Sequence, residues 1–247
     1  MNLNLTRLIP PDPRGTLQRN RLLKPFNCCA PAIWVSGPPG SGKSTLVASY
    51  LKKQDLPFVY YRADAEDKEP EVFLQNLIQC FSSKGFKMNP PSWTVTGELL
   101  NEMDTLLPFL EKLFLIPEAA FVFVLEDIDS IENNSFMVKL LSCIHTILPS
   151  NCRMVITSHE PVECAIKVFE ENIEIIDEEL LRFNANETRQ LLDAKDNRYL
   201  QRVLELTNGR AITLSALRGS TDLSVFKKLV PEFSPEDILY FLLRAIA

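Results

Sequence analysis

The sequence predicts an α/β protein in which helices flank both faces of a parallel sheet and a small helical lid follows. Short apolar runs alternate with helical stretches until about Asn184, where the strand patterns stop. Such alternation is typical of parallel sheets, whose strands are covered by helices on both faces. Five runs are predicted to be buried strands: Ala32 to Ser36, Phe58 to Tyr61, Phe121 to Leu125, Met154 to Thr157 and Ile173 to Ile176.

The intervening helices are predicted from apolar residues at four-residue spacing. Phe73, Leu77 and Phe81 form one such stripe, and Phe136, Leu140 and Ile144 form another. Because a stripe at this spacing faces a core, we interpret these aromatic residues as packing residues. One helix is expected from Lys43 to Lys53, and three short helices are expected in the lid, at Asn186 to Leu192, Asn197 to Leu206 and Arg210 to Leu217.

Size and composition favour a folded cytoplasmic module. A chain of 247 residues is long enough for one large domain with a small appendage. Its 32 acidic and 26 basic residues give a net charge of -6, which opposes broad attraction to nucleic acid, so we expect no direct nucleic acid contact. The six cysteines contain no Cys-x-x-Cys pair, and no run approaches the about 18 apolar residues of a membrane span. We therefore expect no membrane partner.

Four regions are expected along the chain. Residues 1–30 form a proline-rich and arginine-rich arm with a short helix near Gln18 to Lys24, residues 31–183 the sheet domain, and residues 184–219 the lid. Residues 220–247 are expected to be a linker and a helix that begins at Ser234 in a Ser-Pro-Glu-Asp cap. Apolar residues cover most of that helix, so it requires a packing partner, which we expect to be a following domain.

A glycine-rich motif predicts a phosphate-binding loop between the first strand and the helix after it. Backbone N–H groups in such a loop, together with the helix N-terminus, attract phosphate. The motif assigns Lys43 to the β and γ phosphates, Ser44 to Mg²⁺ and Thr45 to the α phosphate. We therefore predict ATP or ADP with Mg²⁺ as the ligand, the alternative being an ordinary turn. The residues that match G-x-x-x-x-G-K-[ST] are Gly37, Pro38, Pro39, Gly40, Ser41, Gly42, Lys43 and Ser44.

Two acidic residues, Glu126 and Asp127, follow the third predicted strand. Open α/β sheets bind ligands at the carboxyl ends of their strands. One carboxylate would hold Mg²⁺ with Ser44, and the other would orient the attacking water, with Lys43 completing the catalytic set. We place the strand end at Leu125, which gives Glu126 the metal role and Asp127 the water-positioning role. A strand end one residue later and a solvated acidic turn are the alternatives.

His159 follows the fourth predicted strand. In sheets of this kind a polar group after the central strand often senses the γ phosphate. His159 is therefore a candidate sensor, and an ordinary histidine in a surface loop is the alternative interpretation.

Together these segments resemble the nucleotide-binding part of the MalT-like, LuxR-type transcription regulators, which are signal transduction ATPases with numerous domains (STAND). Thr16 to Leu23 looks like the family's entry helix, and the resemblance implies that Arg19 and Arg21 contact the base or ribose. Gly209 stands where the family has the glycine motif of its lid, near the adenine. Two further segments are similar to the family's second strand with its acidic turn and to its lid entry, namely Val59 to Asp64 and Leu181 to Phe183 with Glu187.

The resemblance implies an ASCE/AAA-like P-loop switch. ADP and the lid would hold a closed monomer, and ATP with a small-molecule inducer bound outside this chain would permit self-association of the full-length protein. Slow ATP hydrolysis would reset the switch, and winged-helix, sensor-repeat and DNA-binding domains would follow Ala247. Because Glu126 replaces the family's usual Asp and His159 its usual Arg, nucleotide binding is a firmer prediction than turnover. A free-standing P-loop enzyme such as a small kinase and an AAA-type loader ATPase are the alternatives.

Overall fold

The described strands form one five-stranded sheet in the order β2-β3-β4-β1-β5, and every neighbouring pair runs parallel. The computed structural model describes residues 5–27, 30–84, 103–115, 120–130, 135–160 and 172–218. The predicted fold class is therefore confirmed. The strands are β1 Ala32–Ser36, β2 Phe58–Arg62, β3 Phe121–Glu126, β4 Cys152–Ser158 and β5 Ile173–Ile176.

Helices lie before the first strand, between strands and after the last strand, and the predicted helices within the described residues are found with ends shifted by a few residues. The predicted helix at 234–247 lies outside the described residues. The helices are α1 Asn20–Leu23, α2 Lys43–Gln54, α3 Pro70–Ser83, α4 Met103–Leu115, α5 Ser135–Ile147, α6 Glu178–Leu181, α7 Ala185–Leu192, α8 Asn197–Thr207 and α9 Ala211–Leu217.

An apolar core covers each face of the sheet. Helices α3, α4 and α5 pack on one face, where Phe73, Phe81 and Phe123 are completely buried. Helices α1 and α2 pack on the other, where Val47 and Val124 are completely buried. Burying one such side chain contributes about 1.5 to 3 kcal/mol, so the apolar runs are explained by burial on both faces.

The strand β3 ends at Glu126, so the predicted end at Leu125 is wrong. The backbone N–H of Ala63 donates a 2.8 Å hydrogen bond to the carbonyl of Glu126, and Arg62 is the register partner of Glu126. This cross-strand pairing extends β3 by one residue, because a ladder hydrogen bond depends on the neighbouring strand and not on the local sequence.

The arm folds back onto the sheet. Its first turn, Leu5–Leu8, packs against β2, and the buried guanidinium of Arg7 forms an ion pair with the fully buried Asp67. The hydroxyl of Tyr61 donates a 2.5 Å hydrogen bond to the same carboxylate. Since a buried charge is stable only when it is paired, this network fixes the start of the arm.

The lid has a small core of its own, formed by Val203, Leu214 and Leu217 with partly buried residues around them. Two capping interactions start α7, because Asn184 and Glu187 each accept a hydrogen bond from the other's backbone N–H. Within the described residues, no helix has the length and apolar character needed to cross a membrane.

Candidate functional site

The glycine-rich loop connects the carboxyl end of β1 to α2, as the motif predicts. The N–H of Gly37 donates a 3.2 Å hydrogen bond to the carbonyl of Ser158, which anchors the loop to β4. Lys43 is 5% exposed, and its ammonium donates to the carbonyls of Gly37, at 2.6 Å, and Pro38, at 3.3 Å. Burial lowers the pKa of Lys43, although three nearby carboxylates act in the opposite direction.

Among the buried polar atoms of the described residues that have no hydrogen-bond partner, two belong to residues assigned to the phosphate and metal site. They are Oγ of Ser41, within the loop, and Oε1 of Glu126, at the end of β3. Leaving a buried polar atom unpaired costs about 1 to 3 kcal/mol, so such atoms are uncommon unless a ligand or water completes them. A phosphate-bearing ligand with its Mg²⁺ would supply the missing partners of both atoms.

The carboxylate of Glu126 is fully buried and is held by side chains of β2. Its Oε2 accepts a 2.8 Å hydrogen bond from Nε of Arg62 and a second hydrogen bond from the hydroxyl of Tyr60. Burial, and then the negative charge of Glu126, raise the pKa of Tyr60, so this hydroxyl stays protonated and donates. Sequence reasoning missed both partners.

Asp127 lies just beyond the strand in a left-handed conformation, with φ of 57°. Its N–H donates a 3.0 Å hydrogen bond to Oγ1 of Thr157, and its Oδ2 lies 3.8 Å from Nε of Arg62. Burial raises the pKa of Asp127, and the charge of Glu126 adds to that effect. The turn therefore presents a second, less buried carboxylate next to the first.

His159 contacts Asp129, which lies two residues after Asp127. Its N–H donates a 2.6 Å hydrogen bond to Oδ1 of Asp129, and its Nδ1 lies 3.7 Å from Oδ2 of the same residue. Possible ligand atoms of Asp127, Asp129 and His159 all lie within 4.8 Å of one another. The imidazole is therefore close to the acidic turn, and its sensing role stays a prediction.

A cavity of about 300 Å³ opens next to the start of α2. The arm contributes Leu17 and Arg19, α2 contributes Thr45 and Ser49, and the lid contributes Phe183 and Ala211. The volume is at the lower end of the range for ligand pockets, about 300 to 1,000 Å³. Its position beside the glycine-rich loop suits the base and ribose of a nucleotide whose phosphates the loop binds.

The two arginines assigned to the base or ribose have different positions. Arg19 lines the cavity, with its guanidinium 4.0 Å from the centre of the Phe183 ring. Arg21 is not among the residues that line the cavity. Both arginines form ion pairs with Glu187, at 3.2 Å for Arg19 and 3.1 Å for Arg21. In this structure their shared interaction joins the arm to the lid.

The lid touches the glycine-rich loop directly. The N–H of Ile212 donates a 3.0 Å hydrogen bond to the carbonyl of Gly40, and a Cβ at Gly40 would lie 2.9 Å from the Ile212 side chain. Gly209 does not line the cavity, but its carbonyl accepts a 2.8 Å hydrogen bond from Phe183, which does. No local motif indicated the Ile212 contact, because lid packing creates it.

The sheet order and the loop between β1 and α2 define a P-loop NTPase fold. Residues 24–159, more than half of the chain, match the model of the nephrocystin 3 N-terminal family, so the chain belongs to that family. No curated protein sequence is significantly similar to the chain. The likeness to MalT-like regulators therefore stays a prediction.

Solved structures with the same fold include two ATPases and an ORC1 protein. A Walker-type ATPase of Pyrococcus abyssi is 14% identical, with a TM-score of 0.58 over 98% of this chain and 79% of that one. A STAND protein of Pyrococcus horikoshii with a tetratricopeptide repeat sensor is 14% identical, with a TM-score of 0.54 over 96% and 35%. The Aeropyrum pernix ORC1 protein, in complex with DNA, is 13% identical, with a TM-score of 0.50 over 96% and 68%. At these identities the likeness establishes the fold.

Proposed function

We propose that this chain binds ATP or ADP with Mg²⁺ and acts as the nucleotide-dependent switch of a larger signalling protein. One observation carries the proposal: the glycine-rich loop opens on a cavity whose walls come from the arm, α2 and the lid. A nucleotide in that cavity would contact all three regions at once. The presence of the nucleotide and the number of its phosphates would therefore change the strength of the contacts that the lid makes with the arm and α2.

Each region has a distinct part in this proposal. The loop and Lys43 would bind the phosphates, and Ser44 would be a ligand of Mg²⁺. Glu126 and Asp127 would supply the carboxylates around the ion and the attacking water. Arg19, Thr45 and Phe183 would contact the nucleoside in the cavity. Bound Mg²⁺ would supply charge neutralisation at the phosphates.

The finer parts of the switch rest on the sequence resemblance. We propose slow ATP hydrolysis, self-association of the full-length protein in the ATP state and activation by an inducer that binds another domain. The proposal includes control of transcription through domains outside this chain. Mass spectrometry of nucleotide retained after purification tests the switch, because a closed switch should retain stoichiometric ADP. A purified protein that takes up added ADP but never retains it would contradict the closed ADP state.

Lys43 of the glycine-rich motif would contact the β and γ phosphates. Replacing it with Ala should weaken ADP binding by about 10-fold to 100-fold, because the change removes charge-assisted hydrogen bonds to phosphate. Calorimetric titration of ADP measures the effect. Lys52→Ala is the matched control, because Lys52 is exposed in the last turn of the same helix. Equal affinities in Lys43→Ala and Lys52→Ala would refute phosphate binding by the loop.

A further inference from the structure

Arg62 contacts both acidic residues of the candidate site, a role that no sequence motif indicated. Its Nε lies 2.8 Å from Oε2 of Glu126 and 3.8 Å from Oδ2 of Asp127. The two strands impose this arrangement, because Arg62 and Glu126 are register partners in neighbouring parallel strands. One guanidinium therefore stands between the two carboxylates that the proposed function assigns to Mg²⁺ and water.

The carboxylates of Glu126 and Asp127 require a compensating cation. Glu126 is completely buried, and a buried carboxylate is stable only with a paired charge and hydrogen bonds. Arg62 supplies that charge here, and the hydroxyl of Tyr60 supplies a further hydrogen bond. The other oxygen of Glu126, Oε1, has no hydrogen-bond partner among the described residues. Protein donors thus satisfy only one of the two oxygens of this buried carboxylate.

The side chain of Arg62 is also able to move away from the two carboxylates. Its side chain is 41% exposed, whereas that of Glu126 is 1% exposed. A divalent cation near Oε1 of Glu126 would repel the guanidinium, because like charges repel strongly where little water screens them. A partly exposed arginine can turn into solvent, while the buried carboxylate stays at the site.

We propose that Arg62 is a tethered cation that competes with Mg²⁺ for the carboxylates of Glu126 and Asp127, an inference that rests on the proposed function. Without metal, the guanidinium compensates both charges. When metal and nucleotide bind, Arg62 moves away, and its displacement weakens metal affinity. The guanidinium of Arg62 therefore lowers the metal affinity of the site, and its removal should raise that affinity.

The test uses Mn²⁺ as the probe and three variants. Arg62→Gln removes the cation, and Arg62→Lys keeps the charge but loses the planar group that reaches two carboxylates. Arg189→Gln is the control, because Arg189 is an exposed lid residue that donates to Asn197. Mn²⁺ binding is measured by electron paramagnetic resonance with and without ADP, and ADP binding by calorimetry with Mn²⁺ or with excess chelator.

We expect Arg62→Gln to bind Mn²⁺ about 10-fold more tightly than the wild type, because a charge-assisted contact no longer competes. Arg62→Lys should show a smaller gain, and Arg189→Gln none. Unchanged or weaker Mn²⁺ binding in Arg62→Gln would overturn the inference. If Arg62→Gln does not fold, unchanged or weaker Mn²⁺ binding in Arg62→Lys would overturn it instead. If none of the proteins binds ADP, the proposed function fails, and Mn²⁺ binding without ADP still tests the competition.

Discussion

At the scale of single residues, the site depends on how each buried charge is compensated. Glu126 is paired with Arg62 and Tyr60 from the neighbouring strand. Lys43 is held by carbonyls of its own loop. Since unpaired buried charges are very costly, these pairings are stability requirements as well as parts of the candidate site.

Gly209 has no room for a side chain. It has φ of 67°, and a Cβ added there would lie 2.6 Å from the carbonyl oxygen of Phe183. Gly15 has a similar φ of 77°, but a Cβ there would meet nothing within 4 Å. Gly15→Ala should therefore cost only the backbone strain, about 1 to 2 kcal/mol, and Gly209→Ala clearly more.

Urea denaturation of both glycine variants measures this difference in the free energy of unfolding. Gly209→Ala should also weaken ADP binding, because Phe183 lines the cavity. Equal losses of stability in the two variants would show that the lid accommodates the extra methyl group without moving Phe183.

At the scale of elements, one carboxylate performs two tasks. Glu187 accepts a 3.2 Å hydrogen bond from the N–H of Asn184, which caps α7. The same side chain forms ion pairs with Arg19 and Arg21 of the arm. Both arginines also donate to the carbonyl of Arg182, at the entry to the lid. The start of α7 is therefore the point at which the arm is attached to the lid.

Glu187→Gln tests this attachment. Glutamine can still cap the helix, but the buried guanidinium of Arg19 loses its counter-charge. We expect a loss of about 3 kcal/mol in the free energy of unfolding, at the lower end for breaking a buried pair. Hydrogen exchange in the arm should become faster. Glu178→Gln is the control, because its pair with Arg182 is partly exposed and is worth about 0.5 kcal/mol or less.

The attachment would be refuted if Glu187→Gln and Glu178→Gln lost the same stability. Faster exchange throughout α7, instead of in the arm, would indicate that the substitution acts through the helix cap.

At the scale of the whole molecule, three regions distant in sequence meet around one cavity. The arm, α2 and the lid all contribute to its walls, and Ile212 joins the lid to Gly40 of the glycine-rich loop. A ligand that binds only the folded protein at 100 times its dissociation constant stabilises it by about 2.7 kcal/mol. That stabilisation should extend to every region that the ligand contacts.

We therefore expect saturating ADP to slow hydrogen exchange in the arm and in α9 as well as in the glycine-rich loop. Mass spectrometry of exchanged peptides measures this protection. Lys43→Ala is the control, measured at an ADP concentration that leaves this variant largely unbound. Protection that ADP confers on the loop alone would contradict closure of the cavity by the arm and lid.

The predictable part of the fold follows from local physics. The stripe of Phe73, Leu77 and Phe81 identified α3, because periodic apolar residues need only a core to face. The ends of β1 and β5 were also predicted correctly. The chain segment that forms the glycine-rich loop is contiguous, so its position between β1 and α2 could be derived without knowing any long-range contact.

The sequence by itself determined the positions of the five strands, most of the helices, the phosphate-binding motif and the two adjacent acids at the end of β3. Only the tertiary structure decided that Arg62 lies against Glu126, that Arg19 and Arg21 share Glu187, and that β3 extends to Glu126. These contacts join residues far apart in the chain, such as Arg19 and Glu187, which are separated by 168 positions. Local propensity cannot specify such pairs, because the order of strands in the sheet and the docking of the lid determine which side chains meet.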